Sequence, residues 1–284
     1  MVLAAVGQLC SNGNVARNAR LCTSIVRRAA AASAQLVSLP EASDFIAADP
    51  KEVPKLAQPL EGGEFVEAMR KAARENKVWV DVGVHEQGTE EKCYNTQLLI
   101  SPDGNIAQAY RKVHLFDVPG SGLFESKTTI AGDEIQDPIE TPVGQVGFLT
   151  CYDLRFPEAA AMLRRKGAHV LTYPSAFTSR TGPPHWEVLL RARAIETQCY
   201  VLAAAQVGEN APGRTTWGHA MIVDPWGTIL AQVPDHGSPN APSTEEGNDE
   251  GSFAIADIDL TWLGKIRKEM PLWDQRRNDI YPVV

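Results

Sequence analysis

The stretch VGQVGFLTCYDLRFPEAAAMLRRKGAHVLTY, residues 143–173, decides the fold. Val143–Thr150 is a short apolar run of strand length, and Pro157 suits the first turn of a helix. Val170–Tyr173 is again strand-like. Strand, turn, helix and strand in succession is the unit of a layered α/β protein. The same alternation extends in both directions. Upstream, Val2–Leu9 reads as a buried strand. Val15–Ala32 reads as a helix with Cys22, Ile25, Val26 and Ala29 on one face. Gln35–Pro40 is an apolar run ending at Glu41, Glu64–Asn76 a second helix and Val78–Val84 a strand. Downstream come a helix at Pro184–Thr197, a strand at Tyr200–Gln206 and a strand at Phe253–Asp259.

Two hairpins interrupt this pattern. One spans Tyr94–Lys112 and turns at Ser101-Pro102-Asp103-Gly104; the other surrounds Asp224-Pro225-Trp226-Gly227. Hairpins require antiparallel pairs, so the sheets are expected to be mixed. Val233–Gly251, rich in Pro, Ser, Gly, Asn and Glu, reads as a surface loop inside a domain. With no repeat and no linker, residues 1–260 are expected to form one domain. Residues 261–284 then add a helix and an extended arm that packs on the same domain or on a neighbouring subunit.

The 284 residues are 44% hydrophobic, enough for a sizeable core, and the net charge of −8 argues against nucleic acid or a membrane surface as partner. No run reaches the roughly 20 apolar residues of a bilayer span. The first ten residues lack a basic region and a cleavage site, so they read as a core strand and not a signal peptide. Five cysteines, widely spaced and without a CxxC pair, fit reduced thiols better than disulfides or structural zinc. A cytoplasmic protein is expected, and a mitochondrial form is compatible with the same features.

Three residues carry the chemistry. Cys151 follows an apolar strand and precedes a helix, where backbone N–H groups can hold an oxyanion and a helix N-terminus favours thiolate. Asp153, Arg155 and Glu158 make its surroundings polar, whereas Cys10, Cys22, Cys93 and Cys199 read as inert. Glu41 ends a strand-like run and can act as a general base if its surroundings raise its pKa. Lys112 closes the first hairpin and can stabilise an oxyanion. Individually each also fits a bland role: a buried thiol, a capping carboxylate, a solvated ammonium. Together they supply the nucleophile, base and cation of covalent acyl transfer. His185 and His219 are isolated and suit hydrogen bonding. No metal cluster and no dinucleotide fingerprint is present in the sequence, so neither metal nor cofactor is expected.

At LPEAS (Glu41), YRKVHLF (Lys112) and TCYDLRFPE (Cys151) the chain resembles the nitrilase, or carbon–nitrogen hydrolase, superfamily. The resemblance implies a four-layer αββα sandwich that assembles into homodimers or larger homo-oligomers. It implies that Glu41 moves protons, that Cys151 forms a thioester, and that Lys112 and the Tyr152 N–H hold the oxyanion. It also implies a second glutamate after the lysine, best matched by Glu125 in LFESKT, which positions Lys112 and the substrate. The segments at 151–158, 173–201, 217–227 and 270–281 look like the deaminated glutathione amidase branch, close to its fungal members. That branch implies a small 2-oxo acid amide as substrate. Arg155 would bind its carboxylate, against a bland alternative of a salt bridge to Asp153 or Glu158, and Phe177 and Thr181 would line the same pocket. An omega-amidase acting on 2-oxoglutaramate, an idle scaffold and a thiol redox sensor are the competing readings.

Overall fold

The structure is a computed structural model that describes residues 1–234 and 250–281, so most of the loop read at Val233–Gly251 lies outside the described residues. The first half runs β1 (Leu3–Leu9), α1 (Val15–Ala31), β2 (Ala34–Ser38), α2 (Val53–Leu56), α3 (Glu64–Asn76), β3 (Trp79–Glu86), β4 (Cys93–Ile100) and β5 (Ile106–Arg111). Three two-residue strands follow, β6 (Asp117–Val118), β7 (Leu123–Phe124) and β8 (Thr129–Ile130), and then β9 (Ile139–Thr141) and β10 (Gly144–Phe148). The second half adds α4 (Pro157–Arg165), β11 (Val170–Thr172), α5 (Gly182–Thr197), β12 (Tyr200–Ala203), β13 (Ala205–Ala211) and β14 (Arg214–Trp217). It closes with β15 (Met221–Val223), β16 (Ile229–Gln232), β17 (Ser252–Asp257) and α6 (Leu260–Glu269).

Among the described residues these strands make a nine-stranded sheet, ordered β14-β13-β1-β2-β3-β4-β5 with β17 on β1 and β8 on β4, and a six-stranded sheet, β16-β15-β12-β11-β10-β9. Both are mixed. β1, β2 and β3 run parallel while β3, β4 and β5 are antiparallel; β10, β11 and β12 run parallel while β15 is antiparallel to β12. Strand alternation sorts the apolar residues into two cores. Ala5, Val37, Val82 and Leu98 face Ile25, Val26, Phe65 and Met69 of α1 and α3. Their neighbours Ala4, Val6, Leu36 and Leu99 face the other way, into a core shared with Phe148, Leu171, Leu163, Trp186 and Leu190. The layers are therefore α1/α3, sheet, sheet and α4/α5: the αββα order.

Two local readings change and one is refined. Tyr200–Gln206, expected as one strand, is two strands in different sheets: β12 pairs with β11 and β13 with β1, so the chain crosses from layer to layer at Ala204. The all-apolar run has no turn residue to mark the crossing. A 3-10 turn, Cys151–Arg155, stands between β10 and α4. The segment after α6 is not extended: Asp274 and Gln275 N–H donate to Pro271 O, and the Trp273 indole donates to Glu196 O, so it packs back on its own domain.

Between the sheets lies a buried polar cluster. Gln97 Nε2 donates to Asp81 Oδ1 (2.7 Å) and Thr172 Oγ1 (2.6 Å), Thr150 Oγ1 donates to Gln97 Oε1 (3.1 Å), and Ser38 Oγ donates to Asp81 Oδ2 (2.6 Å). It ties both sheets to the residue preceding Cys151. Burial pushes the Asp81 carboxyl up to about 7, against hydrogen bonds from Ser38 and Gln97 that pull it down. A second tie involves Gly83 of β3, whose N–H donates to Pro40 O (3.2 Å) and whose carbonyl accepts from Ser43 N–H (2.9 Å). A Cβ at Gly83 would lie 2.6 Å from Glu41 Cα and 3.0 Å from Pro40 O, both backbone atoms that cannot rotate away. Glu41 therefore depends on a missing side chain in β3. Gly83→Ala is expected to lower stability by about 1–3 kcal/mol and, by displacing Glu41, to cut any turnover that depends on Glu41 by roughly 100-fold. Thermal denaturation and steady-state kinetics check this, and wild-type values for both would contradict it.

Candidate active site

Lys112 follows β5, and its N–H extends the hairpin ladder to Asn95 O (2.8 Å). Its side chain is 2% exposed. A buried ammonium needs matched acceptors. Nζ donates to Glu41 Oε1 and to Glu125 Oε2, each at 2.9 Å. Glu41 arrives from the turn after β2 and Glu125 from the 3-10 turn after β7. Asn95 Nδ2 joins the two carboxylates from the far side, donating to Glu41 Oε1 (2.8 Å) and Glu125 Oε1 (2.9 Å). The Phe116 N–H donates to Glu125 Oε2 (2.7 Å) and the Ala176 N–H to Glu41 Oε2 (2.9 Å). Sequence reading found Glu41, Lys112 and Glu125 but not Asn95. A signal existed: a hairpin that pairs Thr96 with Arg111 places Asn95 opposite Lys112.

Cys151 is held by a different device. Thr150 and Asp153 form a capping box around the 3-10 turn, and the Cys151 N–H donates to Pro174 O (3.1 Å). The Cys151 backbone is left-handed, with φ of +46°, a costly conformation for a residue with a side chain. Buried Asp153 locks it, accepting from Thr150 N–H (2.8 Å), the Tyr110 hydroxyl (2.8 Å) and His114 N–H (3.2 Å), with His114 Nδ1 at 2.7 Å. Tyr110 and His114 flank Lys112, so one carboxylate couples the nucleophile's turn to the lysine's strand. The Tyr152 N–H, in the first turn, has no hydrogen-bond acceptor among the described residues.

Electrostatics assign the protons. Burial pushes the Cys151 thiol well above its ordinary value; the Glu41 charge pushes the same way, and Lys112 opposes both. Desolvation and an adjacent carboxylate thus outweigh the turn's N-terminus, which favours thiolate, and the balance favours the thiol. Burial also pushes Glu41 up, but the Lys112 charge and hydrogen bonds from Lys112, Cys151 and Asn95 hold it below the usual carboxylate value. Glu41 is therefore an ionised acceptor beside a protonated thiol, not the raised-pKa acid that a lone buried carboxylate would be. Burial pulls Lys112 down, yet Glu125, Glu41 and Cys151 together keep it well above its ordinary value.

All eight residues singled out in the sequence, Glu41, Lys112, Glu125, Cys151, Tyr152, Arg155, Phe177 and Thr181, line one cleft of about 270 Å³, which suits a small molecule. The Arg155 guanidinium lies 5.8 Å from the Tyr152 ring centre and 5.4 Å from that of Phe177, and Nη1 is 3.2 Å from His185 Nδ1. The bland alternative for Arg155 is absent: Asp153 is occupied as described, and no ion pair joins Arg155 to Asp153 or Glu158 among the described residues. Thr181 Oγ1 is 3.1 Å from Thr178 Oγ1. His85 and Arg214 also line the cleft and carried no signal in the sequence. His219 Nδ1 lies 3.1 Å from Trp217 O. Among the described residues no group of three or more His, Cys, Asp or Glu side chains could hold a metal, and no helix is long and apolar enough to cross a membrane.

Comparison with known proteins gives the family. Residues 3–268 match the family described as "Carbon-nitrogen hydrolase". The fission yeast "Probable hydrolase nit2" is 45% identical, with all of both chains covered. The human "Deaminated glutathione amidase" is 45% identical, over 98% of this chain and 83% of that one. Among solved structures, the NitFhit protein of C. elegans superposes with a TM-score of 0.90 at 38% identity, covering 99% of this chain; this chain spans 66% of that longer protein. Saccharomyces cerevisiae Nit3 gives a TM-score of 0.80 at 29% identity, over 97% of this chain and 96% of that one.

The pH behaviour of Glu41 follows from its partners. Its ionised form is held by Lys112 and Asn95, so if Glu41 is the base, activity is expected above its depressed pKa and is expected to be lost as pH falls through it. Asn95→Ala removes one stabilising donor and is expected to move the acid limb of kcat to higher pH, with kcat reduced about ten-fold. A pH–rate profile checks this, and an acid limb unmoved from wild type would contradict it.

Proposed function

The chain belongs to the carbon-nitrogen hydrolase family, and from that premise we propose that it hydrolyses the amide of deaminated glutathione, 2-oxoglutaryl-Cys-Gly, to 2-oxoglutarate and Cys-Gly. The observation that carries the reading is the Cys151 thiol beside an ionised Glu41, clamped by Lys112 in a small cleft that Arg155 lines without a carboxylate partner. In this mechanism the Cys151 sulfur attacks the amide carbonyl as Glu41 takes the thiol proton. The oxyanion forms between Lys112 Nζ and the Tyr152 N–H, both preorganised donors. Glu41 returns the proton to the amide nitrogen, the C–N bond breaks, and Cys-Gly leaves a thioester on Cys151. Water then attacks the thioester and gives its proton to Glu41. Collapse releases 2-oxoglutarate, and Glu41 reprotonates the sulfur. Glu125 and Asn95 touch Lys112 and Glu41 and hold them in register.

Arg155 fits the 2-oxo acid carboxylate, since its charged fork faces the cleft between two aromatic rings. The amidases of vertebrates at 44–45% identity support this choice of substrate. The test is 2-oxoglutarate release, read with glutamate dehydrogenase, from deaminated glutathione and from 2-oxoglutaramate. A higher kcat/KM for the former is expected; a preference for 2-oxoglutaramate would make the enzyme an omega-amidase, and no release from either would overturn the assignment. Cys151→Ala is expected to fold and to lose all turnover. Arg155→Ala is expected to raise KM for 2-oxo acid amides about ten-fold or more. An equal loss on amides that lack the 2-oxo acid group would remove its carboxylate role.

A further inference from the structure

Arg214 opens β14, the edge strand of the nine-stranded sheet. Strand alternation turns Arg214 and Thr216 to one face, and both line the catalytic cleft. Thr216 also bridges to Thr178, and Arg155 lies 5.4 Å from the ring of the preceding Phe177. Arg155 reaches the cleft from the turn after β10, in the six-stranded sheet. The two cations thus enter from different sheets.

Two other enclosed arginines are tied down, Arg193 Nη2 donating to Leu154 O (2.7 Å) and Arg267 Nη2 to Ala168 O (2.7 Å), while a third, Arg164, lies against the Trp273 ring and away from the cleft. The Arg214 guanidinium makes no hydrogen bond and no ion pair among the described residues. Burial pulls its pKa down, offset in part by Glu41, Glu125 and Cys151, which are near enough to interact but do not bond it. A half-buried guanidinium that lines a ligand cleft without a protein acceptor is suited to binding an anion there.

We propose that Arg214, facing the cleft from the opposite sheet to Arg155, anchors a second carboxylate, the one carried by the amine half of the substrate. This rests on the proposed amidase reading and refines it: the site selects amides whose leaving group is a peptide with a free C-terminus. Arg155 and Arg214 then hold the two ends of a dianionic substrate while its amide lies over Cys151. The rival role for Arg214 is a counter-ion for Glu41 and Glu125, two carboxylates that share one lysine. That role acts on every substrate alike.

The experiment compares 2-oxoglutaryl-Cys-Gly with its C-terminal amide, 2-oxoglutaryl-Cys-Gly-NH2, and reads the ratio of their kcat/KM values. In the unmutated enzyme the free acid is expected to be preferred about ten-fold, mainly through KM. Arg214→Gln is expected to bring the ratio to about one and Arg214→Lys to keep part of it. A ratio near one in the unmutated enzyme overturns the proposal without any substitution, so misfolding of a variant cannot mask the result. A ratio that survives in folded Arg214→Gln also overturns it, and an equal loss on both substrates assigns Arg214 the counter-ion role. Absence of 2-oxoglutarate from both substrates with the unmutated enzyme would instead defeat the amidase reading, a result distinct from every ratio.

Discussion

A single ammonium group, Lys112 Nζ, sets the terms for the rest of the site. It is almost fully buried, and a buried cation without partners would cost several kcal/mol. Two carboxylates from distant parts of the chain, Glu41 and Glu125, meet it at 2.9 Å each. Those carboxylates bring a further requirement, since two anions on one cation leave lone pairs to fill. Asn95, the Phe116 N–H and the Ala176 N–H fill them. The hairpin β4–β5, the turn after β2 and the loop after β11 are positioned by this one cluster as much as by the apolar cores beneath them.

The same cluster determines how the nucleophile works. Cys151 faces an anion in a desolvated site, so a standing thiolate would be opposed by both burial and Glu41. In the proposed mechanism the thiol is instead deprotonated as it attacks, by a base whose ionised form Lys112 and Asn95 favour. Strain at Cys151 and the lock at Asp153 fix the turn that carries the sulfur, and in the proposed mechanism the unpaired N–H of Tyr152 receives the oxyanion. Protonation, strain and donor placement are consequences of one layered geometry.

The sequence made much of this legible because each catalytic residue stands at the end of a strand-like run. Leu39-Pro40-Glu41, Arg111-Lys112 and Thr150-Cys151 are places where periodicity stops and a polar residue begins. The αββα layering was less visible in the residues than in the family resemblance, since alternation alone does not say which faces meet. Asn95 was hidden because its role depends on hairpin register, a quantity the turn at Ser101–Gly104 fixes but that must be counted out pair by pair. Arg214 was hidden for a stronger reason. The run Tyr200–Gln206 read as one strand, so the crossing at Ala204 and the edge hairpin β13–β14 were not foreseen, and Arg214 had no place near the site. The balance at the thiol was only half legible, because a turn N-terminus is readable in sequence whereas the distance to Glu41 is not.

The central claim is that Glu41 and burial keep Cys151 protonated at rest. The direct measurement is thiolate absorbance near 240 nm as a function of pH, taken as the difference between the wild-type protein and Cys151→Ser so that the other four thiols cancel. The account predicts no thiolate step assignable to Cys151 at or below the ordinary cysteine pKa of 9.0. A step below that value, present in wild type and absent from Cys151→Ser, would contradict it and would mean that the sulfur is already an anion before substrate arrives.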